Sequence, residues 1–248
     1  LRGGSLECLG FLRFNYAQWE FVEHLEQLLQ TGQGLDLHRT MQRSQDWENY
    51  QRAMLDIARC HAAILARHVP VRRGAKRLID VGGSHGLLGA AICRRHPPLR
   101  SQVLELPMAL QPAQRLAQEE RIDDVVEHVP GDLRKHELGS GADVILIANV
   151  VHHFSPAENL DLLCRAHRAM AAGGTLAVWD IERRADGARA DLGRDATALF
   201  FRLTSASNCF SAANLREWLE AAGFSSARCV RSPLAPLHLL VHAKRASP

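Results

Sequence analysis

The stretch Leu78-Ile79-Asp80-Val81-Gly82-Gly83-Ser84-His85-Gly86 decides the fold of this chain. Its apolar residues predict a buried strand that ends near the acidic Asp80, and its glycines predict a tight loop. Glycine lets the loop backbone take positive φ and approach a ligand closely. The next run, Leu87-Leu88-Gly89-Ala90-Ala91-Ile92, predicts the start of a helix. A strand, a loop and a helix in this order form the first unit of a nucleotide-binding α/β domain.

The spacing of the glycines excludes the dinucleotide-binding fingerprint. That pattern, G-x-G-x-x-G, would require three glycines, but Ser84 and Leu87 stand at the second and third of these positions. An acidic residue just before the glycines suits a ligand with a positively charged end better than one with phosphates. S-adenosylmethionine carries an ammonium and a sulfonium group, and it is therefore the cofactor that we predict.

Two further acidic residues follow predicted strands. Glu105 ends a strand near 101–105, where a carboxylate can accept hydrogen bonds from both hydroxyls of a ribose. Asp132 follows a strand near 125–129 and can accept from the adenine amino group, with Leu133 packing on the ring. A single acidic residue at a strand end usually caps a helix or faces solvent. Three of them in order, beside a glycine loop, favour a cofactor site.

These motifs resemble the class I S-adenosylmethionine-dependent methyltransferases. More narrowly, they are similar to the small-molecule O-methyltransferases typified by the caffeic acid and hydroxyindole enzymes and their bacterial polyketide-tailoring relatives. The resemblance extends over residues 15–245 and rests on Asp80–Gly86, Leu104-Glu105-Leu106-Pro107, Pro130-Gly131-Asp132 and Ala172-Gly173-Gly174-Thr175-Leu176. It implies a set of cofactor-binding residues: Asp80, Gly82, Gly83, Gly86, Glu105, Leu106, Asp132, Leu133 and Ala148.

The resemblance also implies catalytic residues after the fourth and fifth strands. In this family a His after the fourth strand deprotonates the acceptor hydroxyl, and an acid at the end of the fifth strand orients it. The matching positions are His152 and Asp180. The chain departs from the family twice, because His153 replaces the usual acid and segment 207–211 has no carboxylate. A His-His pair also occurs in methyltransferases that use no such base, so the role of His152 stays open at this point.

No metal site is predicted at the His-His pair. Adjacent side chains diverge, and no third ligand is evident nearby. His153 is interpreted as a pocket or structural residue. Several aromatic and apolar residues can either line a pocket or pack in the core, and the sequence does not separate the two roles: Trp47, Met54, Phe154, Trp179, Phe200 and Phe201.

Hydrophobic periodicity divides the chain near residue 71. Residues 1–70 are predicted to be a helical segment, the remnant of a dimerisation domain that also forms a lid over the acceptor. Its apolar stripes around Trp19 and Met54 need burial, which favours a homodimer. Family members carry a longer N-terminal domain, so we expect most of that domain to be absent. Residues 71–248 are predicted to be the cofactor-binding, catalytic domain.

The second region alternates apolar runs with amphipathic ones. This pattern predicts an α/β, Rossmann-like fold with a seven-stranded, mostly parallel sheet between helices. Strands are expected near 77–81, 101–105, 125–129, 143–148 and 175–180, with two short edge strands at 225–231 and 237–243. Helices are expected at 86–96, 110–120, 156–171 and 211–222.

Composition narrows the choice of partners and compartment. The net charge is +3 and the basic residues are scattered, which argues against a nucleic-acid partner. The six cysteines show no C-x-x-C pair, which is typical of a reducing, cytoplasmic compartment. No apolar run is long enough to span a membrane. The start at Leu1, without Met or a signal-peptide pattern, indicates a fragment or a trimmed chain.

We therefore predict an O-methyltransferase that acts on a hydroxyl of a small aromatic or polyketide-like molecule, with His152 as the general base. Two alternatives remain. The chain can be a C- or N-methyltransferase on the same cofactor, in which His152 only positions the acceptor. It can also be a cofactor-binding partner protein without catalytic activity, an alternative kept open by the missing carboxylate in segment 207–211.

Overall fold

The computed structural model describes residues 8–184, 189–205 and 207–246. The start of the chain, which we interpreted as a sign of a fragment, lies outside these residues. The helices are α1 Leu9–Val22, α2 Leu25–Thr31, α3 Leu37–Thr40, α4 Ser44–His68, α5 Leu87–Arg95, α6 Pro107–Glu119, α7 Pro156–Ala169, α8 Leu192–Ser205 and α9 Ala212–Ala221. The strands are β1 Arg77–Val81, β2 Arg100–Glu105, β3 Val126–Pro130, β4 Ala142–Ala148, β5 Met170–Ile181, β6 Phe224–Ser232 and β7 Ala235–Arg245.

The strands form one sheet with the order β3-β2-β1-β4-β5-β7-β6. Strands β1 to β5 are parallel, while β7 runs antiparallel to both β5 and β6. The predicted seven-stranded, mostly parallel α/β fold is therefore confirmed. The strand order reverses between β1 and β4, and ligands of such sheets bind at the carboxyl ends of the strands beside this reversal.

Strand β4 is buried along its whole length because both faces of the sheet are covered. Ile145 and Ile147 pack on the face that α7 and α9 cover. Val144 and Leu146 pack on the opposite face, against residues of α4 and α5. A strand buried on both sides needs apolar residues at every position, which accounts for its continuous apolar run.

The ends of several elements differ from the prediction. Strand β5 begins at Met170 rather than near 175, because Met170 pairs with Ala142 ahead of a register shift. Helix α6 begins at Pro107, since proline is well suited to the first helical turn. Helix α8 was not predicted at all. The predicted cap of α9 is confirmed, because the Ser211 side chain accepts a hydrogen bond from the backbone N–H of Asn214.

The N-terminal segment is helical, as predicted, but its first stripe is split between α1 and α2. Trp19 is 71% exposed and Tyr16 is 87% exposed, so the α1 face is not covered by the described residues. Helix α4 buries its own stripe, including Leu55 and Leu65, and it packs against α5 and α6. The predicted division near residue 71 falls in the connection between α4 and β1. Among the described residues, no helix has the length and apolar character needed to cross a membrane.

Candidate active site

A cavity lies at the carboxyl ends of β1, β2 and β4, where the strand order reverses. Most of the predicted cofactor residues border it: Asp80, Gly82, Gly83, Glu105, Leu106, Asp132, Leu133 and Ala148. We call it the cofactor cavity. Gly86 lies behind it, at the start of α5, where a Cβ would stand 2.8 Å from a methyl of Val126 and 2.9 Å from one of Val103. Close packing of the helix on the sheet therefore accounts for glycine at this position.

The glycine loop encloses the side chain of Asp80. Gly82 has a φ of +65°, and a Cβ on Gly83 would collide with the Asp80 carboxylate. On the other side, a Cβ on Gly89 would come within 2.7 Å of Asp80 Oδ2. Burial raises the pKa of Asp80 to about 7, and the nearby charge of Glu105 adds to this rise. A hydrogen bond from the backbone N–H of Gly89 acts in the opposite direction. Asp80 thus lies beneath the loop.

Glu105 is held at the wall of the cofactor cavity. Its Oε2 accepts from the backbone N–H of Ser84 over 2.9 Å, and its Oε1 accepts from that of Leu106 over 2.7 Å. Each oxygen keeps acceptor capacity beyond these bonds. Burial raises the pKa of Glu105 to about 7, despite these backbone donors. Gln51 of α4 supports the same corner, because the Ser84 hydroxyl donates to its Oε1.

Asp132 and Leu133 border the cofactor cavity from the loop after β3. Asp132 Oδ1 accepts from the backbone N–H of Arg134 over 2.9 Å, so this carboxylate also shapes its own turn. Leu133 faces the glycine loop, since a Cβ on Gly82 would stand 3.2 Å from its Cδ2. The structure therefore brings the three predicted acidic positions and the glycine loop together at one edge of the sheet.

A second cavity of about 610 Å³ adjoins the first, and we call it the acceptor cavity. The two cavities share Tyr50, Met54, Asn149 and His153. Aromatic and aliphatic side chains form most of its wall, among them Phe11, Phe14, Leu37, Ile57, Phe200 and Phe201. Its volume lies within the range of pockets that bind drug-sized molecules, about 300–1,000 Å³.

His152 and Asp180 form a buried pair at the wall of the acceptor cavity. The Nδ1–H of His152 donates to Oδ1 of Asp180 over 2.6 Å. Asp180 is itself fixed, because its Oδ2 accepts from the backbone N–H groups of Val150 and Val151, each over 3.0 Å. Its Oδ1 also accepts from the N–H of Ile181. This arrangement fixes the imidazole and leaves Nε2 as its hydrogen-bond acceptor.

His153 borders both cavities, but its ring has a different hydrogen-bond partner from that of His152. Its Nδ1 is hydrogen bonded to the hydroxyl of Ser205 over 2.7 Å. Burial lowers the pKa of His153 well below its usual value, and the nearby His152 and His38 act in the same direction. The side chain is therefore neutral and packs as part of the wall. Among the described residues, no group of three side chains is arranged to hold a metal ion.

The segment before α9, where the resemblance implied a carboxylate that this chain lacks, has structural tasks instead. The Ser207 hydroxyl donates to the carbonyl of Phe154 over 2.5 Å, and Ser211 caps α9. Asn159 supports the same loop, because its Nδ2 donates to the carbonyls of Val151 and Phe154. The loop that carries His152 is thus held by hydrogen bonds from α7 and from the segment before α9.

Of the aromatic and apolar residues with an open role, Phe200, Phe201, Phe154, Trp47 and Met54 border a cavity, whereas Trp179 is buried in the core. Sequence reasoning gave no role to several polar residues. His38, His61, Asn149 and His238 border the cavities, and Gln51 supports Ser84 beside them. His38 stacks on Trp47, with ring centroids 5.9 Å apart. These residues belong to no local motif. Only their positions in the folded chain place them at the site.

The sheet order and the paired cavities are those of a class I S-adenosylmethionine-dependent methyltransferase. Residues 18–225 match the O-methyltransferase domain family, and the chain belongs to this family. The predicted family is therefore confirmed.

Individual proteins show the same similarity. The demethylspheroidene O-methyltransferase of Rhodobacter capsulatus is 29% identical over 199 residues, which is 80% of this chain and 48% of that enzyme. The L-tyrosine C(3)-methyltransferase of Streptomyces lavendulae is 26% identical over 153 residues, which is 60% of this chain and 41% of that enzyme. The structure of the mitomycin 7-O-methyltransferase MmcR superposes with a TM-score of 0.80 at 25% identity, over 92% of this chain and 68% of that one. The chain spans about half the length of the curated relatives that it matches.

Proposed function

We propose that this chain is the catalytic part of an S-adenosylmethionine-dependent O-methyltransferase that methylates a hydroxyl of a small aromatic or polyketide-like molecule. The observation that carries the proposal is the His152–Asp180 pair, which borders a large apolar cavity beside the cavity with the predicted cofactor residues. An apolar wall that includes the oriented imidazole of His152 suits a flat, hydrophobic acceptor that carries a hydroxyl.

The side chains of the cofactor cavity fit S-adenosylmethionine chemically. Glu105 offers a fixed carboxylate for the ribose hydroxyls, and Leu133 offers an apolar surface for the adenine. The space is narrow, about 100 Å³, whereas pockets for ligands of this size measure about 300–1,000 Å³. Residues of α3 and α4, among them His38 and Tyr50, line part of this cavity. We infer that these side chains move apart when the cofactor binds.

The protein has two tasks in the reaction, alignment and deprotonation. When bound, S-adenosylmethionine supplies an electrophilic methyl group. His152 accepts the proton of the acceptor hydroxyl at Nε2 while Asp180 holds the ring through Nδ1. The aromatic wall of the acceptor cavity restricts the position of the acceptor. It includes Phe201, whose ring centroid lies 3.8 Å from that of His152. Such alignment removes much of the entropic cost of the reaction.

C- or N-methylation on the same cofactor is the second candidate function. One observation favours it, the similarity to the L-tyrosine C(3)-methyltransferase of Streptomyces lavendulae. In that case His152 positions the acceptor through a hydrogen bond and does not act as the base.

The test is a reaction with S-adenosylmethionine that carries a ¹³C-labelled methyl group and a panel of naphthols and hydroxyquinones. We expect S-adenosylhomocysteine and a methoxy product in equal amounts, identified by mass spectrometry and carbon NMR. A label attached to ring carbon or nitrogen would support the second candidate function. Cofactor binding without turnover on any member of the panel would support a binding protein without catalysis.

We further propose that the chain forms a homodimer through α1. Leu12, Tyr16 and Trp19 are exposed at helical spacing on one face of this helix. An apolar face of this kind favours association. Free thiols are found at Cys60, Cys93, Cys164, Cys209 and Cys229, which supports the proposed cytoplasmic compartment.

Replacement of Leu12, Tyr16 and Trp19 by serine should convert the dimer into a monomer. The reason is that the three side chains lose the apolar surface that would be buried between two copies. Light scattering on the parent and the triple variant measures the change, and calorimetry with S-adenosylhomocysteine is the control for an intact cofactor cavity. A parent protein that is already monomeric would contradict the proposal.

A further inference from the structure

Two histidines that are far apart in the sequence meet at the wall of the acceptor cavity. His61 lies on α4 and His238 lies on β7, and their ring centroids are 4.3 Å apart. Both rings also contact Trp179. His61 forms a T-shaped pair with it, with centroids 5.3 Å apart, and His238 stacks on it, with centroids 5.0 Å apart. Neither residue takes part in the His152–Asp180 pair, and neither is needed for the proton transfer described above.

The orientation of His238 is fixed by Asn149. The Nε2–H of His238 donates to Oδ1 of Asn149 over 3.2 Å, which leaves Nδ1 of the neutral ring as an acceptor. Asn149 has a φ of +55° and borders both cavities. It lies three positions before His152 in the loop after β4. His238 is also close enough to His152 for the two rings to influence each other electrostatically. The His61–His238 pair therefore lies beside the proposed base.

His61 has hydrogen-bonding capacity that the described residues do not use. Its side chain is 8% exposed, and its Nδ1 has no hydrogen-bond partner among the described atoms. A neutral ring in this situation carries its proton most favourably on Nε2, because an unpaired buried acceptor costs less than an unpaired buried donor. His61 can then offer Nε2–H as a donor.

Both rings are uncharged at neutral pH. Burial lowers the pKa of His61 to about 4. Burial lowers the pKa of His238 to about 3, with His61 acting in the same direction. Together the pair offers one donor and one acceptor without charge. This chemistry matches a hydroxyl or a carbonyl oxygen, whereas a carboxylate or an ammonium group would need a charged partner.

We propose that His61 and His238 form a second binding point for the acceptor, which recognises an uncharged oxygen near the hydroxyl that is methylated. The acceptor then carries a second hydroxyl or a carbonyl oxygen and is not a simple phenol. This inference rests on the proposed O-methyltransferase function for the position of the first hydroxyl. Binding at the second point can be measured without turnover.

The test uses two compounds that differ by one oxygen, 2,3-dihydroxynaphthalene and 2-naphthol. Calorimetry is carried out on the full chain saturated with S-adenosylhomocysteine, and turnover is measured separately with S-adenosylmethionine. We expect the parent protein to bind the dihydroxy compound about tenfold more tightly than the monohydroxy compound, the size of one added hydrogen bond. In His61→Phe this ratio should fall severalfold, because only the His238 acceptor remains, while the affinity for 2-naphthol is kept.

Two further variants separate recognition from packing. His61→Gln keeps a hydrogen-bond donor and should restore part of the preference. His68→Phe makes the same substitution on the same helix, at a residue that borders neither cavity, and should behave as the parent. An equal ratio in the parent and in His61→Phe would overturn the proposal, and so would a failure of the parent to bind either compound. Binding with the expected preference but without methyl transfer would contradict the proposed function and leave the second binding point standing.

Discussion

His152→Ala should lower turnover by about 10²–10⁴-fold while the affinity for S-adenosylhomocysteine stays at the parent value. The expected loss is the usual contribution of a general base. The cofactor affinity is kept because His152 borders the acceptor cavity and not the cofactor cavity. Turnover is measured on one accepted phenol between pH 6 and 9, and calorimetry measures the affinity.

Two other variants test the assignment of the base. Asp180→Asn should lose less than His152→Ala, because it weakens the hold on the imidazole without removing the ring. His153→Ala should lose less again, because this ring is bonded to Ser205 and packs in the wall. Turnover close to the parent in His152→Ala would mean that the acceptor ionises unaided or is not an oxygen. An inactive His153→Ala would mean that the motif match is shifted by one residue.

The grouping of residues around the cofactor cavity could be predicted because its signals are local. Each acidic residue follows an apolar run, and parallel strands bring their carboxyl ends to one edge of the sheet. Asp80, Glu105 and Asp132 therefore lie near each other whatever the exact ends of the elements. The role of each residue within the cavity could not be predicted from these local signals. Asp80 lies beneath the loop, and Gly86 is explained by packing against Val103 and Val126, details that no motif could reveal.

Helix α8 was not predicted, although its sequence has an apolar stripe at helical spacing, at Leu192, Ala196, Leu199, Phe200 and Leu203. Leu203 and Thr204 are its buried residues, whereas Leu192 and Leu199 are exposed. Much of this stripe does not pack in the core, since Ala196 and Phe200 border the acceptor cavity. Its position is set by contacts distant in sequence, such as the hydrogen bonds from Arg194 to the carbonyls of Glu182 and Leu237.

The acceptor half of the site depends on contacts between distant parts of the chain. His61 and His238 meet because β7 pairs antiparallel with β5, while α4 packs on the same side of the sheet. Trp179 of β5 stacks on His238 because Trp179 pairs with Leu240, whose side chain shares a face with that of His238. A sequence pattern of period two or 3.6 contains no information about such a pairing.

Glu105→Ala should weaken the binding of S-adenosylhomocysteine by about 10–150-fold. The carboxylate is fixed by two backbone N–H groups and is proposed to accept both ribose hydroxyls. Loss of charge-assisted hydrogen bonds costs about 1.5–3 kcal/mol, which gives this range of affinity. Calorimetry measures the change, and Glu127→Ala, which removes an exposed carboxylate on β3, is the matched control. Parent-like affinity in Glu105→Ala would refute the ribose assignment.

The same carboxylate predicts how cofactor affinity depends on pH. Burial raises the pKa of Glu105 to about 7, so the side chain is largely protonated at pH 6 in the ligand-free protein. Ribose hydroxyls donate to the ionised form, and binding therefore releases a proton and becomes tighter as the pH rises through 7. We expect about a tenfold gain between pH 6 and 8 and little change above that range. The probe is 5′-methylthioadenosine, which carries the ribose and adenine but no titrating amine.

Glu105→Gln separates this effect from the ionisation of Asp80. The pKa of Asp80 is also raised to about 7 by burial, so the two carboxyls titrate in the same range. Glutamine has a similar shape and can still accept hydrogen bonds, but it cannot ionise. If Glu105 controls the affinity, the Glu105→Gln variant should bind the probe more weakly than the parent at pH 8 and show an almost flat pH profile. An unchanged profile in this variant would assign the titration to Asp80 and would show that the ribose does not depend on the charge of Glu105.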